Sequence, residues 1–144
     1  MKINTLRFGE IEIEEKRIFE FVLPIIGFNE LKRFVIVDIN KDGLFKWLQA
    51  VDDPNLAFPV VSVFSLNIDY TIDLSDSVVE SLKITEIENV LVMNIASIPQ
   101  ENPQGTTINL LAPLIFNLDN YLAGQVILSG SGYDISYPLF KKVS

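Results

Sequence analysis

Phe34-Val35-Ile36-Val37-Asp38-Ile39 and Leu44-Phe45-Lys46-Trp47-Leu48-Gln49-Ala50-Val51 flank the break Asn40-Lys41-Asp42-Gly43. Both arms are rich in β-branched and aromatic residues, which suit a pleated, half-buried surface. The Asp-Gly pair supplies the positive φ that a tight turn needs. The stretch reads as a β-hairpin, and the same pattern recurs along the chain.

Upstream, Gly9 separates Thr5-Leu6-Arg7-Phe8 from Glu10-Ile11-Glu12-Ile13-Glu14. In the second arm Ile11 and Ile13 share one face and the three glutamates the other, as in a strand with one solvated side. Ile18 to Val22 is a further short strand, ended by Pro24. Downstream, Asp52-Asp53-Pro54-Asn55 makes a turn. Ala57 to Leu66 is β-rich, and its Pro59 points to an edge or a bulge. Val90 to Ala96 is another strand, and Asn102-Pro103-Gln104-Gly105 punctuates before a long apolar strand from Thr107 to Asn117. Ser77-Val78-Val79-Glu80 matches a capping box and predicts one short helix to about Lys83, with Asp73 and Asp76 near its positive end. Short strands with frequent turns predict an all-β, barrel-like single domain over residues 1–144, with one short helix.

Composition narrows the chemistry. Nineteen acidic and eleven basic residues give 11 − 19 = −8. That balance disfavours phosphate backbones, which are bound through Lys and Arg, and favours a basic or neutral protein partner. No direct nucleic-acid ligand is expected. Neither is a membrane span, since the apolar runs are interrupted well short of ~20 residues. The N-terminus lacks the apolar run of a secretory signal, so a cytoplasmic protein is expected. Cysteine is absent, so disulfides and thiolate metal sites are excluded.

Histidine is absent as well, which removes the usual general base and the commonest metal ligand. Carboxylate pairs such as Asp69 with Asp73, or Glu86 with Glu88, lie in acid-rich turns and assemble no nucleophile–base arrangement. No enzyme activity and no cofactor are expected. Asp38-Ile39-Asn40-Lys41-Asp42-Gly43 begins like a calcium-binding loop, but its ninth and twelfth positions fall on Lys46 and Gln49, where a bidentate glutamate is needed last. It reads as the hairpin turn, and no metal site is expected.

One pattern leaves two readings open. Along Thr107–Asn117, the set Ile108, Leu110, Ala112, Leu114 and Phe116 alternates with Asn109, Leu111, Pro113, Ile115 and Asn117. Three members of the second set are apolar, so either both faces are buried or an apolar stripe is exposed to a partner. Leu44 to Val51 has a similar excess.

Four segments carry a resemblance to a known family. They are Phe45 to Pro54, Leu56-Ala57-Phe58-Pro59-Val60-Val61, Asn109-Leu110-Leu111-Ala112-Pro113-Leu114-Ile115-Phe116-Asn117 and Gly124-Gln125-Val126-Ile127-Leu128, with Asp69-Tyr70 between them. Together they resemble the FliW family of bacterial flagellar assembly factors. The resemblance implies partner exchange without catalysis. Members bind CsrA, a small RNA-binding regulator that represses flagellin translation, and they also bind flagellin. Accumulated flagellin occupies the FliW-like protein and leaves CsrA free to repress. The expected partners are therefore a CsrA-type regulator and flagellin, with this chain a monomer. The alternative is a chaperone-like protein that binds flagellin alone. The contact residues expected are Asp69, Tyr70, Glu86, Glu88, Asn109, Pro113 and Asn117. One departure stands out: in Pro24-Ile25-Ile26-Gly27-Phe28, Ile26 occupies the place where the family has proline.

Overall fold

The computed structural model describes residues 1–38 and 43–140. Most of the Asn40–Gly43 turn, and with it the calcium-like loop, lies outside the described residues. Among the described residues eleven strands run in chain order: β1 (Lys2–Thr5), β2 (Gly9–Glu12), β3 (Phe19–Leu23), β4 (Arg33–Val37), β5 (Lys46–Ala50), β6 (Ala57–Val61), β7 (Val90–Ser97), β8 (Thr107–Ile108), β9 (Leu114–Asn117), β10 (Leu122–Gln125) and β11 (Tyr137–Pro138). The one α-helix among the described residues is α1 (Asp76–Ser81).

Seven strands close into a barrel in the order β3-β4-β5-β6-β7-β9-β10. The parallel pair β10–β3 completes the ring, and every other pair in it is antiparallel. Closure removes the free edges an open sheet would leave to other chains. At the closing pair β10 and β3 approach so tightly that a Cβ on Gly124 would sit 2.6 Å from the Leu23 Cβ. Only glycine lets the ring shut there.

Phe19, Phe21, Phe34, Leu48, Val60, Leu114 and Phe116 fill the interior. The exterior is covered in three places, which resolves the apolar excess on both faces of the strands. The β1–β2 hairpin lays Ile3 and Ile13 over Val35 and Val51. Helix α1 lays Val78 and Leu82 over Ile115. Irregular segments from both sides of α1 bring Tyr70, Leu110 and Leu128 against Val61 and Ile108. Both faces of β9 are buried, and Thr107–Asn117 presents no exposed stripe.

The structure corrects several boundaries. The first arm of the opening hairpin is Lys2–Thr5, and Leu6-Arg7-Phe8 form the turn. Thr5 closes it, its hydroxyl donating to the Gly9 carbonyl and accepting the Phe8 N–H. The strand after Asp53-Pro54 stops at Val61 and continues as a 3-10 turn, Val63–Leu66. Pro59 stands opposite Trp47 in a β6 that lies between β5 and β7 with no register shift against β5, so it marks neither an outer edge nor a bulge there; the β6–β7 ladder starts only at Val60. The helix is capped by Ser75, whose Oγ accepts the Val78 N–H at 3.3 Å. Ser77 lies inside the first turn, so its match to a capping box is incidental. Among the described residues no helix is long and apolar enough to cross a membrane.

The largest correction concerns Thr107–Asn117, which is two strands and not one. Ile108 stands opposite Ala96 and Leu114 opposite Met93, so residues 109–113 face only Asn94 and Ile95. Pro113 has no N–H for a ladder, and the Asn109 Oδ1 captures the Ala112 N–H at 3.0 Å, folding the chain outward.

Candidate functional site

At the outward fold every main-chain carbonyl from 109 to 113 accepts a hydrogen bond, while the buried Asn94 Oδ1 beside them has no partner among the described residues. Asn94 is fully buried in β7, and its Nδ2 donates to the Asn109 carbonyl at 2.9 Å and to the Tyr70 hydroxyl at 3.2 Å. Tyr70 in turn donates to the Leu110 carbonyl. Gln125 Nε2 donates to the Ala112 carbonyl, and the Val126 and Leu128 N–H groups reach the Pro113 and Leu111 carbonyls. Buried main-chain groups need such partners, and here side chains replace the missing ladder. Burial pushes the Tyr70 phenol up from its ordinary pKa, against the pull of the Asn94 bond, so it stays a neutral donor.

Of the residues expected at a partner surface, Tyr70, Asn109 and Pro113 therefore come together at this one feature. Tyr70 and Pro113 are buried, Asn109 is half-buried, and Asp69 beside them is exposed. Asn117 belongs to a second knot at the far end of β9. It is 1% exposed, and its Nδ2 donates to the Leu82 and Lys83 carbonyls at the end of α1 while its Oδ1 accepts the Asp119 N–H. Glu86 and Glu88 flank the exposed Ile87 in a 3-10 turn, Ile87–Asn89. That turn joins the same end through Asn89, whose Nδ2 donates to Asp119 and whose carbonyl accepts the Leu118 N–H. The two glutamates project to solvent, and with Asp119 and the exposed Leu118 they give this end an acidic, partly apolar surface.

The early loop keeps its turn despite Ile26. Gly27 adopts φ +88°, and the Phe28 N–H closes onto the Ile25 carbonyl at 2.8 Å. The Ile26 N–H donates to Gln125 Oε1 at 2.7 Å, a bond proline could not make. Gln125 thus ties this loop to the outward fold at Ala112.

Two features escaped the sequence reading. Gln49 is fully buried, and its Nε2 donates to the Asp53 and Leu56 carbonyls, holding the Asp52–Asn55 turn against the barrel. Asn94 is the other; a lone amide within the apolar run Val90–Ala96 is its one sequence signal. Elsewhere, Arg33 clamps Asp52 through two bonds of 3.0 and 2.6 Å. Those bonds hold the Asp52 carboxyl below its ordinary pKa, with burial opposing. Among the described residues no group of three acidic side chains is placed to hold a metal ion.

Comparison with known proteins covers the whole arrangement. The family model described as FliW protein matches residues 2–139. A flagellar assembly factor FliW of Clostridium tetani (strain Massachusetts / E88) is 37% identical over 142 residues, spanning 99% of this chain and 97% of the relative. One from Clostridium novyi (strain NT) is 39% identical over 142 residues, spanning 99% of each. A crystal structure of the flagellar assembly factor FliW superimposes with a TM-score of 0.91 at 37% identity, covering 99% of both chains.

Proposed function

This chain belongs to the FliW family of flagellar assembly factors, and from that premise we propose that it antagonises a CsrA-type translational regulator and binds flagellin. It acts in the cytoplasm by exchanging protein partners, without catalysis or a cofactor. The observation that carries this reading is the full-length family match, joined to a surface suited to a basic partner: a −8 chain whose Glu86 and Glu88 are exposed around Ile87. Acidic side chains on such a surface steer a basic protein toward it and raise the association rate at low salt. The lack of histidine and cysteine supports the non-catalytic part.

The test is a titration of this protein into a preformed complex of the regulator and its RNA, with and without flagellin. Release of RNA that added flagellin reverses is the expected result. Failure to bind either protein at micromolar concentration, with the fold intact by circular dichroism, overturns the proposal. Binding to flagellin alone would leave a flagellin-holding factor with no role in translation.

A further inference from the structure

A groove of about 380 Å³ lies between two extended segments, with Thr71, Asp73 and Ser75 on one wall and residues 126–131 on the other. At about 30 Å³ per water it has the volume of roughly a dozen waters, enough for a short piece of chain. Its walls are extended over residues 71–75 and 126–128, outside the barrel ladder, and a turn at 129–131 closes one end. Beyond the end of β10, Val126 and Leu128 give their N–H groups to the Pro113 and Leu111 carbonyls at 3.0 and 2.8 Å. In extended chain, alternate residues present their polar groups to opposite edges. The N–H and C=O groups of Ile127 therefore face away from that pairing, while Ser129 opens the turn that the Ser131 N–H closes onto the Leu128 carbonyl at 3.2 Å; among the described residues the main-chain groups of Ile127 and Ser129 make no hydrogen bond. The opposite wall alternates in burial from Tyr70 to Ser75 as a strand does, and the Thr71 N–H is held by the Tyr133 hydroxyl at 2.8 Å.

We propose that this groove is a strand-addition site, which takes an extended segment of a partner protein bearing one apolar side chain and a lysine or arginine. The main-chain groups of Ile127 and Ser129 supply the pairing, as in other recognition by added strands. The Ile127 side chain, 53% exposed, offers an apolar contact beside it. The charge preference follows from Asp73, since among the described residues no lysine or arginine lines the groove and the chain is strongly acidic. The proposal holds whichever protein supplies the segment, and so stands apart from the regulator and flagellin reading.

A phage-displayed library of random nonapeptides, selected on the intact protein, is the probe. The selected peptides are then measured by fluorescence polarisation against wild type, Ile127→Pro and Asp73→Lys. Enriched peptides carrying an apolar residue and a Lys or Arg, bound at least tenfold more weakly by both variants, are expected. Amide hydrogen exchange on the wild-type complex guards against a misfolded proline variant. The Ile127 and Ser129 amides should exchange freely alone and become protected when peptide is bound. No enrichment, or bound peptides that leave those two amides unprotected, overturns the assignment.

Discussion

Replacing Asn117 by alanine tests whether this residue is part of the framework. The substitution removes three hydrogen bonds: from Nδ2 to the Leu82 and Lys83 carbonyls at 2.9 and 3.2 Å, and to Oδ1 from the Asp119 N–H at 3.0 Å. Each such bond contributes about 0.5–1.5 kcal/mol net, more where a buried partner is stranded. The Leu82 carbonyl keeps a bond from Asn120 Nδ2 at 3.2 Å, which limits the loss. The sum is about 3 kcal/mol, a large share of the 5–15 kcal/mol typical of a domain. For a chain of this size that lowers Tm by about 6–12 °C. Urea unfolding followed by Trp47 emission measures it directly, with an unchanged slope showing that the denatured state is unaltered. A loss below about 1 kcal/mol would refute the framework role and return Asn117 to the list of partner contacts.

Asn117→Asp sharpens the same test. A carboxylate can still accept the Asp119 N–H, but its second oxygen then faces two carbonyls where Asn117 had a donor. Burial and those carbonyls favour the protonated form, raising the folded-state pKa above the unfolded one. A group shifted upward lends its stability below that pKa and loses it above. The aspartate variant should therefore be less stable than the alanine variant at neutral pH and recover toward it on acidification. Parallel pH profiles for the two variants would contradict this account.

Gly124→Ala places a Cβ 2.6 Å from the Leu23 Cβ at the barrel's closing pair, so a loss of about 1–3 kcal/mol is expected in thermal unfolding. Tyr70→Phe strands the Leu110 carbonyl and removes an acceptor from Asn94; a loss of about 1–2 kcal/mol with an unchanged far-UV spectrum is expected. For Arg33→Ala the sign follows from Asp52, whose folded-state pKa is depressed, so the pair stabilises above the ordinary carboxylate pKa of about 3.9 and stops doing so as pH falls through the folded value. Both side chains are about half exposed, so the effect is a few tenths of a kcal/mol, and the Tm gap to wild type should hold from pH 7 down to about pH 4 and narrow as pH falls further. Arg7→Ala uncovers the Trp47 ring, over which the guanidinium sits at 3.8 Å from the centroid, and should shift Trp47 emission to longer wavelength with a stability change within about 1 kcal/mol.

What the sequence conveyed and what it withheld divide along the range of the interactions. The β2, β3, β4, β5 and β7 runs were readable because their alternation or branched composition is local, as was the turn at Asp52–Asn55. The helix was readable too, but its cap was assigned two residues late, because Ser75 and Ser77 are equivalent in sequence and only Ser75 Oγ meets the Val78 N–H. Barrel closure depends on Gly124 meeting Leu23 across a hundred residues, and nothing local announces that.

The same argument explains the fate of Thr107–Asn117. Its alternation is continuous, so local pattern reads one strand, yet its two ends pair with β7 in registers that differ by three residues. That mismatch is stable only because Asn94, Tyr70 and Gln125, all distant in sequence, satisfy the carbonyls set free. A register break held by side chains fixes the chain beyond it as well. Val126 and Leu128 bond to the outward fold instead of continuing the barrel, and this turns the main-chain polar groups of Ile127 away from the barrel ladder. The apolar excess that suggested an exposed stripe is thus consumed in the core. The surface left open to an added chain comes from the backbone, at the place where the ladder was interrupted.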